Sequence, residues 1–150
     1  MRPDGPIFDK NWRESCKVTT VSIKNTEELI KQHYLSMFPK QVQICFGLKR
    51  KEKIIGVITF SQPVRELINR FGDSTWELSR LYIIDKVPKN AESFFIGAAI
   101  RYIKKEYKSI RTLISFADPS YGHSGIVYKA SNWKQVEHAS KNLFVYNLVK

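Results

Sequence analysis

The chain has 150 residues, 43% of them hydrophobic and 26% charged, values typical of one soluble globular domain. Two cysteines are too few for a disulfide framework or a cysteine-rich zinc site, and no apolar run approaches the roughly eighteen residues that span a membrane. We therefore expect a cytoplasmic protein without a secretory signal. The net charge of +11 favours a polyanionic partner, most simply nucleic acid, although solubility alone would also explain it.

The first half of the chain predicts an arm, a strand, a helix and a hairpin. Asn25 and Thr26 are candidate N-caps of the helix, which would place Glu27 in its first turn. The hairpin encloses the basic segment KRKEK and lacks the Asn-Gly pair of the tightest turns. The predicted elements are an N-terminal arm (1–15), a strand (17–23), a helix (25–38) and two hairpin strands (42–48 and 53–60).

The second half alternates strands and helices. Because side chains alternate along a strand, Glu77 and Ser79 should share one face of strand 76–84, and Arg80 should point to the other. The remaining elements are helical turns in 63–72, a helix (89–107) with a buried stripe of Ile96, Ala99, Ile100 and Ile103, a strand (110–117), a short helix (123–131) and two strands (134–140 and 142–149). A right-handed crossover through the long helix would make two neighbouring strands parallel, which predicts a single mixed-sheet α/β domain.

This order of elements and one local motif resemble the Gcn5-related N-acetyltransferase fold. In that family the last helix carries Tyr-x-x-x-Gly-Phe before a strand, and the segment YKASNW places Tyr128, Asn132 and Trp133 at these positions. The resemblance implies that Tyr128 protonates a leaving thiolate, as a phenol that keeps its proton at neutral pH could do. Packing of the tyrosine ring against the sheet is the alternative.

Several segments resemble a divergent branch of that fold, the Mom family of phage DNA-modification proteins. The matching segments are QHY (32–34), ELSRLYI (77–83), PKNAES (88–93) and SFADPSYGHSGIVYKASNW (115–133). The resemblance implies conversion of adenine in double-stranded DNA to an N6-carbamoylmethyl form, which shields phage DNA from host restriction in the host cytoplasm. An ordinary acetyl-CoA-dependent N-acetyltransferase for a protein or small amine stays open, as does a non-catalytic DNA-binding module.

The donor of the transferred group is left open by one departure from the acetyltransferase pattern. Those enzymes bind the coenzyme A pyrophosphate with a glycine-rich loop, whereas the junction IDKVPKNAES contains no glycine. Acetyl-CoA or another acyl or aminoacyl donor could still dock its anionic part on the N-terminus of the long helix. The donor-binding candidates are Arg80, Lys89, Asn90, Glu92 and Ser93. A structural ion pair for Arg80 and simple helix capping for Glu92 and Ser93 are the alternatives.

The segment after strand 110–117 carries further catalytic candidates. His123 could act as a general base and Asp118 could orient it, because ligands collect at the carboxyl ends of strands in such sheets. Local turn chemistry is the alternative for both residues. Ser115 could reach the same pocket as Asp118, or it is only a small residue within the strand. His33, Asp118 and His123 could together hold divalent iron or zinc, although their separation gives no local ligand spacing.

The basic hairpin is the candidate DNA interface, because a protruding basic turn can track phosphates. Its candidate contacts are Lys49, Arg50, Lys51 and Lys53. Tyr121 is a candidate for stacking on an everted base, since an enzyme that modifies a base in a duplex must take it out of the stack. Self-association into a homodimer is also open.

Overall fold

The computed structural model describes residues 11–32, 38–84, 88, 90–117, 125–139 and 142–149. Within this part of the chain, strands and helices alternate much as the sequence predicts. The strands are β1 (Cys16–Val21), β2 (Val42–Arg50), β3 (Lys53–Ser61), β4 (Thr75–Ile83), β5 (Thr112–Ala117), β6 (Lys134–Val136) and β7 (Asn142–Asn147). The helices are α1 (Ile23–Gln32), α2 (Arg65–Phe71), α3 (Ala91–Glu106) and α4 (Ile126–Ala130).

All the strands join one sheet in the order β1-β2-β3-β4-β5-β7-β6. The pairing of β4 with β5 is parallel and the other pairings are antiparallel. Helix α3 connects the two parallel strands, which is the crossover that parallel neighbours require. The predicted single mixed-sheet α/β domain is therefore confirmed.

The main hydrophobic core lies between the sheet and helix α3. The predicted stripe of α3 is buried, and Phe95 joins it against the inner side chains of β2, β3 and β4. A smaller cluster formed by Leu67, Ile114 and Leu143 packs α2 against β5 and β7. Burial of each large aliphatic or aromatic side chain contributes about 1.5–3 kcal/mol, so these two clusters hold the helices on the sheet.

Strand β4 departs from simple alternation. Thr59 pairs with Arg80 while the next residue, Phe60, pairs with Leu78, so Ser79 is an extra residue on β4 and forms a β-bulge. Burial therefore recurs every third residue along the strand, at Thr75, Leu78 and Leu81. The predicted alternation of Glu77, Ser79 and Arg80 between two faces is wrong, because the bulge resets the side-chain direction.

The parallel ladder between β4 and β5 is short. Its last pair is Glu77 with Ile114, yet β4 continues to Ile83 and β5 to Ala117. The two strands thus stop pairing just where the bulge begins at Ser79. This leaves the sheet open between the carboxyl ends of its two parallel strands, the place where α/β folds collect their ligands.

The start of helix α1 differs from the predicted caps, whereas Asn90 does occupy the N-cap position of α3. Helix α1 begins at Ile23, and Ser22 caps it because the Asn25 amide donates to Ser22 Oγ at 3.1 Å. Thr26 is buried inside the helix, and its hydroxyl donates to the carbonyl of Ser22 at 2.9 Å. Asn90 lies at the N-cap of α3, but its side chain makes no capping hydrogen bond.

The hairpin is tighter than the sequence suggests. Arg50 pairs with Lys53, so only Lys51 and Glu52 form the turn. Both have positive φ, 50° and 67°, as a type I′ turn requires even without Asn-Gly. The paired strands include Lys49, which the sequence assigned to the turn.

Several element ends also move. Strand β6 stops at Val136, and the described part of the short last helix covers Ile126–Ala130. The end of the predicted N-terminal arm folds as a 3-10 helix, Trp12–Ser15, whose Trp12 ring packs edge-on against Phe94 at 5.2 Å. In the described residues, no helix is long and apolar enough to cross a membrane.

Candidate active site

Tyr128 lies on helix α4 and points into the core beside the opening between β4 and β5. Only 3% of the residue is exposed. Its ring stacks on Phe144 of β7, with centroids 5.2 Å apart, and meets the edge of Trp133 at 5.1 Å. These two aromatic contacts hold the ring in place, so that only the hydroxyl group of the side chain is free to rotate.

A chain of hydrogen bonds joins the Tyr128 hydroxyl to strand β4. Ser115 Oγ lies 2.7 Å from Tyr128 Oη and 3.0 Å from the carbonyl oxygen of Leu78. A serine hydroxyl carries one proton, and a backbone carbonyl can only accept. Ser115 Oγ is the donor in both contacts, so its single proton is shared between the Tyr128 oxygen and the Leu78 carbonyl. The structure therefore brings Tyr128 and Ser115, both predicted from the sequence, into direct contact.

The surroundings of Tyr128 keep its phenol protonated. Burial raises the pKa of Tyr128 to about 12, and the hydrogen bond with Ser115 lowers the pKa by a smaller amount. The carboxylates of Glu92 and Glu77 raise the pKa further through their negative charge. At neutral pH the side chain is thus a proton donor and cannot serve as a base.

The predicted donor-binding residues lie at the start of α3 and on β4. Glu92 and Ser93 are half-buried on the first turn of α3, and Glu92 is near enough to act on Tyr128. The Ser93 hydroxyl donates to the Asn90 carbonyl at 3.2 Å, a local contact that caps none of the free amides of the first turn. Arg80 is half-buried on β4 directly after the bulge. Their role in donor binding stays a prediction.

Five of the predicted site residues lie outside the described residues. They are His33, Lys89, Asp118, Tyr121 and His123. The metal, general-base and base-stacking roles assigned to them therefore stay predictions. Within the described part of the chain, no group of three or more His, Cys, Asp or Glu side chains could hold a metal ion.

The hairpin points past the carboxyl end of β4. Gly56 of β3 pairs with Ile83, the last residue of β4, so Lys53, which adjoins the turn, lies three residues or roughly 10 Å beyond that pair at about 3.3 Å per residue. Lys51 and Lys53 are exposed. Arg50 is half-buried and its Nε donates to Ser15 Oγ at 3.3 Å. The basic turn thus lies at the same edge of the sheet as the opening between β4 and β5.

Sequence reasoning missed the residues that hold Tyr128 in place. The Leu78 carbonyl and the Phe144 ring carry no motif, and only the three-dimensional pairing of β4, β5 and β7 identifies them. The glycine at position 125 was the one sign in the sequence of close packing here. In the structure a Cβ at Gly125 would lie 2.5 Å from Phe144 Cζ, so the Phe144 ring excludes a side chain at this position. Asn132 has φ 69°, a region that favours glycine and tolerates asparagine, which explains why it can replace the Gly of the acetyltransferase motif.

Comparison with known proteins gives both a family and a fold. The model of the Mom protein family matches residues 15–149. Methylcarbamoylase mom of Escherichia phage Mu is 28% identical over 137 residues, which cover 87% of this chain and 56% of that protein. The chain thus spans about half the length of this curated relative.

Two solved structures illustrate the fold. An acetyltransferase of the GNAT family from Streptococcus pneumoniae superposes with a TM-score of 0.63 at 11% identity, over 88% of this chain and 98% of that one. Spermidine N-acetyltransferase from Vibrio cholerae, solved with CoA and spermine, gives 0.60 at 10% identity, over 90% and 96%. The predicted acetyltransferase fold is confirmed. Because the family match extends over nearly all of the sequence, the chain belongs to the Mom protein family.

Proposed function

We propose that this chain is a DNA-modifying transferase that converts adenine in double-stranded DNA to its N6-carbamoylmethyl form and so protects phage DNA from host restriction. The observation that carries the proposal is membership of the Mom family over residues 15–149, together with a relative named as a methylcarbamoylase. The buried, protonated Tyr128 beside the open edge of the sheet supports transfer chemistry at this point.

Tyr128 is the proposed proton donor to the departing atom of the donor molecule. A general acid of this kind contributes roughly a hundredfold to ten-thousandfold in rate. CoA in the Vibrio cholerae structure supports an acyl-CoA donor. The site fits the CoA pyrophosphate poorly, because the sequence from Ile84 to Ile96 holds no glycine and Glu92 places a carboxylate on the first turn of α3. The proposal therefore names an acyl or aminoacyl donor and rests on no step through CoA.

The charge distribution supports DNA as the partner. The net charge is +11, and the exposed cations of the hairpin turn lie at the edge where the sheet opens. Phosphate contacts of this kind position a duplex without reading its sequence. In the proposal, Lys51 and Lys53 bind the backbone while an everted adenine enters the opening beside Tyr128.

The test is nucleoside mass spectrometry of plasmid DNA from bacteria that express the chain. A modified deoxyadenosine of the N6-carbamoylmethyl mass, with partial resistance of the plasmid to restriction, is the expected result. Unmodified deoxyadenosine from cells with abundant folded protein would refute the proposal. In that case the protein could still be a DNA-binding module, which would bind DNA equally well with Tyr128→Phe.

An ordinary N-acetyltransferase is the second candidate, favoured by the fold of the two solved structures. It predicts release of free CoA from acetyl-CoA with a protein or polyamine acceptor and no DNA. The proposed function predicts no such release above background. The homodimer and the bound divalent iron stay predictions.

The hairpin interface has its own test. A double variant, Lys51→Gln with Lys53→Gln, should weaken DNA binding and reduce the slope of log affinity against log salt by about 1 for each phosphate that the variant no longer binds. Lys104→Gln with Lys105→Gln is the matched control, because it removes the same charge from the far end of α3. Equal weakening of DNA binding in both double variants would contradict a specific role for the hairpin.

A further inference from the structure

We propose that Ser115 is a positioning residue that sets the direction of the Tyr128 hydroxyl. The inference rests on the proposed function, in which Tyr128 gives its proton to the departing group, and it adds how the Tyr128 oxygen is held beforehand. Ser115 acts through Tyr128 and through the Leu78 carbonyl, with contacts of 2.7 Å and 3.0 Å.

The position of Ser115 follows from the place where the sheet opens. The parallel ladder ends at the pair Glu77 and Ile114, so Leu78 and Ser115 are the first residues beyond it. The Ser115 side chain then binds the Leu78 carbonyl, across the gap where the backbone pairing has ended. A serine at this one position can therefore bridge the strand edge and the tyrosine, and a slip of one residue would turn it to the other face.

The two hydrogen bonds of Ser115, to Tyr128 and to Leu78, are called here the Ser115 bridge, and they have one direction. Ser115 Oγ donates to Tyr128 Oη as well as to the Leu78 carbonyl, so the Tyr128 proton is not used in this contact. Ser115 is 1% exposed and Tyr128 is 3% exposed, which excludes bulk water as a competing partner. Before reaction, Tyr128 therefore accepts a hydrogen bond from Ser115 and keeps its own proton for a bound group.

Proton release and the movement of Ser115 are coupled in this arrangement. As adenine N6 forms a bond to the transferred carbon, the bond from that carbon to the departing atom of the donor breaks, and this atom takes the Tyr128 proton and leaves a phenolate. The Ser115 hydroxyl keeps its own proton, gives up its contact with the Leu78 carbonyl and donates to the phenolate alone. The hydrogen bond from Ser115 thus strengthens as the negative charge forms, which is the condition for lowering the barrier. The proton that N6 then loses returns the phenolate to a phenol.

The experiment compares three serine variants in the plasmid modification assay. Ser115→Ala removes the bridge, Ser115→Thr retains a hydroxyl, and Ser131→Ala is the control. Ser131 also donates to a backbone carbonyl, that of Val127 at 2.9 Å, but this contact at the end of α4 involves neither the Tyr128 hydroxyl nor Leu78. Ser115→Ala should lower the modification rate roughly tenfold, the effect of removing one hydrogen bond. Ser115→Thr should restore most of the rate, and Ser131→Ala should leave it unchanged.

A second measurement tests the Ser115 bridge and does not depend on the modification activity of the protein. A fluorotyrosine placed at position 128 has a more acidic phenol, whose titration can be followed by fluorine NMR. Ser115→Ala should raise its pKa by roughly half a unit to one unit, because the phenolate loses a hydrogen bond. Ser131→Ala should leave the pKa unchanged.

The outcomes separate this inference from the proposed function. An unchanged fluorotyrosine pKa in folded Ser115→Ala would overturn the positioning role, whether or not the plasmid is modified. A raised pKa without plasmid modification by the unaltered chain would support the bridge and refute the proposed function. If Ser115→Ala and Ser115→Thr lose equal activity, the hydroxyl does not position Tyr128 for the reaction and the inference is wrong.

Discussion

A single methyl group added at Gly125 should disturb the ring on which Tyr128 rests. A Cβ at Gly125 would lie 2.5 Å from Phe144 Cζ and 3.1 Å from Phe144 Cε2, whereas carbon atoms prefer about 3.5–4.0 Å. The Phe144 ring must therefore move by roughly 1 Å, although it is 1% exposed and stacks on Tyr128. Overpacking of this kind costs about 1–3 kcal/mol.

Gly97→Ala is the matched control, because it makes the same chemical change inside helix α3. Its added Cβ would meet only Arg101 Nη1, at 3.4 Å, which is the mobile end of a long side chain. Removing glycine from a helix interior stabilises by about 0.5–1 kcal/mol. The two variants should thus shift the free energy of unfolding in opposite directions, with Gly125→Ala destabilised.

Urea unfolding followed by circular dichroism measures both effects. Each 1 kcal/mol corresponds to about 2–4 °C in Tm for a chain of this size, so thermal unfolding provides a second readout. Gly125→Ala should also lower plasmid modification, because displacement of Phe144 removes the stacking surface of Tyr128. Equal stability of Gly125→Ala and Gly97→Ala would refute the close approach of Phe144 to the backbone.

Three further predictions concern Tyr128, Thr75 and Asn132. Burial raises the pKa of Tyr128 from 10.0 to about 12. The folded state therefore favours the protonated phenol, which contributes about 3 kcal/mol to the free energy of unfolding. This contribution is complete below about pH 10 and is lost as the pH rises to about 12. Alkaline unfolding curves should therefore fall less steeply for Tyr128→Phe, and parallel curves would contradict this. Thr75 Oγ1 is buried with no hydrogen-bond partner in the described part of the chain. Thr75→Val should therefore raise the free energy of unfolding in urea by about 1 kcal/mol. A decrease would show that Thr75 Oγ1 does have a hydrogen-bond partner. Asn132 has positive φ, so Asn132→Gly should be at least as stable as the natural chain in thermal unfolding, and Asn132→Ala should lose about 1 kcal/mol. If Asn132→Ala is the more stable of the two variants, the positive φ at this position is wrong.

The long helix and the position of Tyr128 could be predicted because each depends on a local pattern. The apolar spacing of α3 matches one face of a helix, and its predicted stripe is buried. The spacing from Tyr128 to Asn132 reflects one helix end, and the positive φ of Asn132 is a local property that asparagine tolerates. Such features involve residues that are close in sequence, so a short segment contains the information.

The bulge at Ser79 and the role of Ser115 could not be predicted in the same way. A bulge depends on how β3 and β4 pair, and the sequence of β4 alone reads as ordinary alternation. Ser115 gains its position from the end of the β4–β5 ladder, which involves residues 37 apart in sequence. The type I′ turn at Lys51 and Glu52 was obscured because neither residue is the usual choice for positive φ.

The most direct test of the central claim is the nucleoside composition of plasmid DNA from bacteria expressing either the natural chain or Tyr128→Phe. Both proteins keep the aromatic ring at position 128, so they differ only in the buried hydroxyl, and their folded amounts can be matched by circular dichroism. The account predicts N6-carbamoylmethyl deoxyadenosine with the natural chain and roughly a hundredfold less with Tyr128→Phe. Unmodified deoxyadenosine with the natural chain, or equal modification by both proteins, would contradict it.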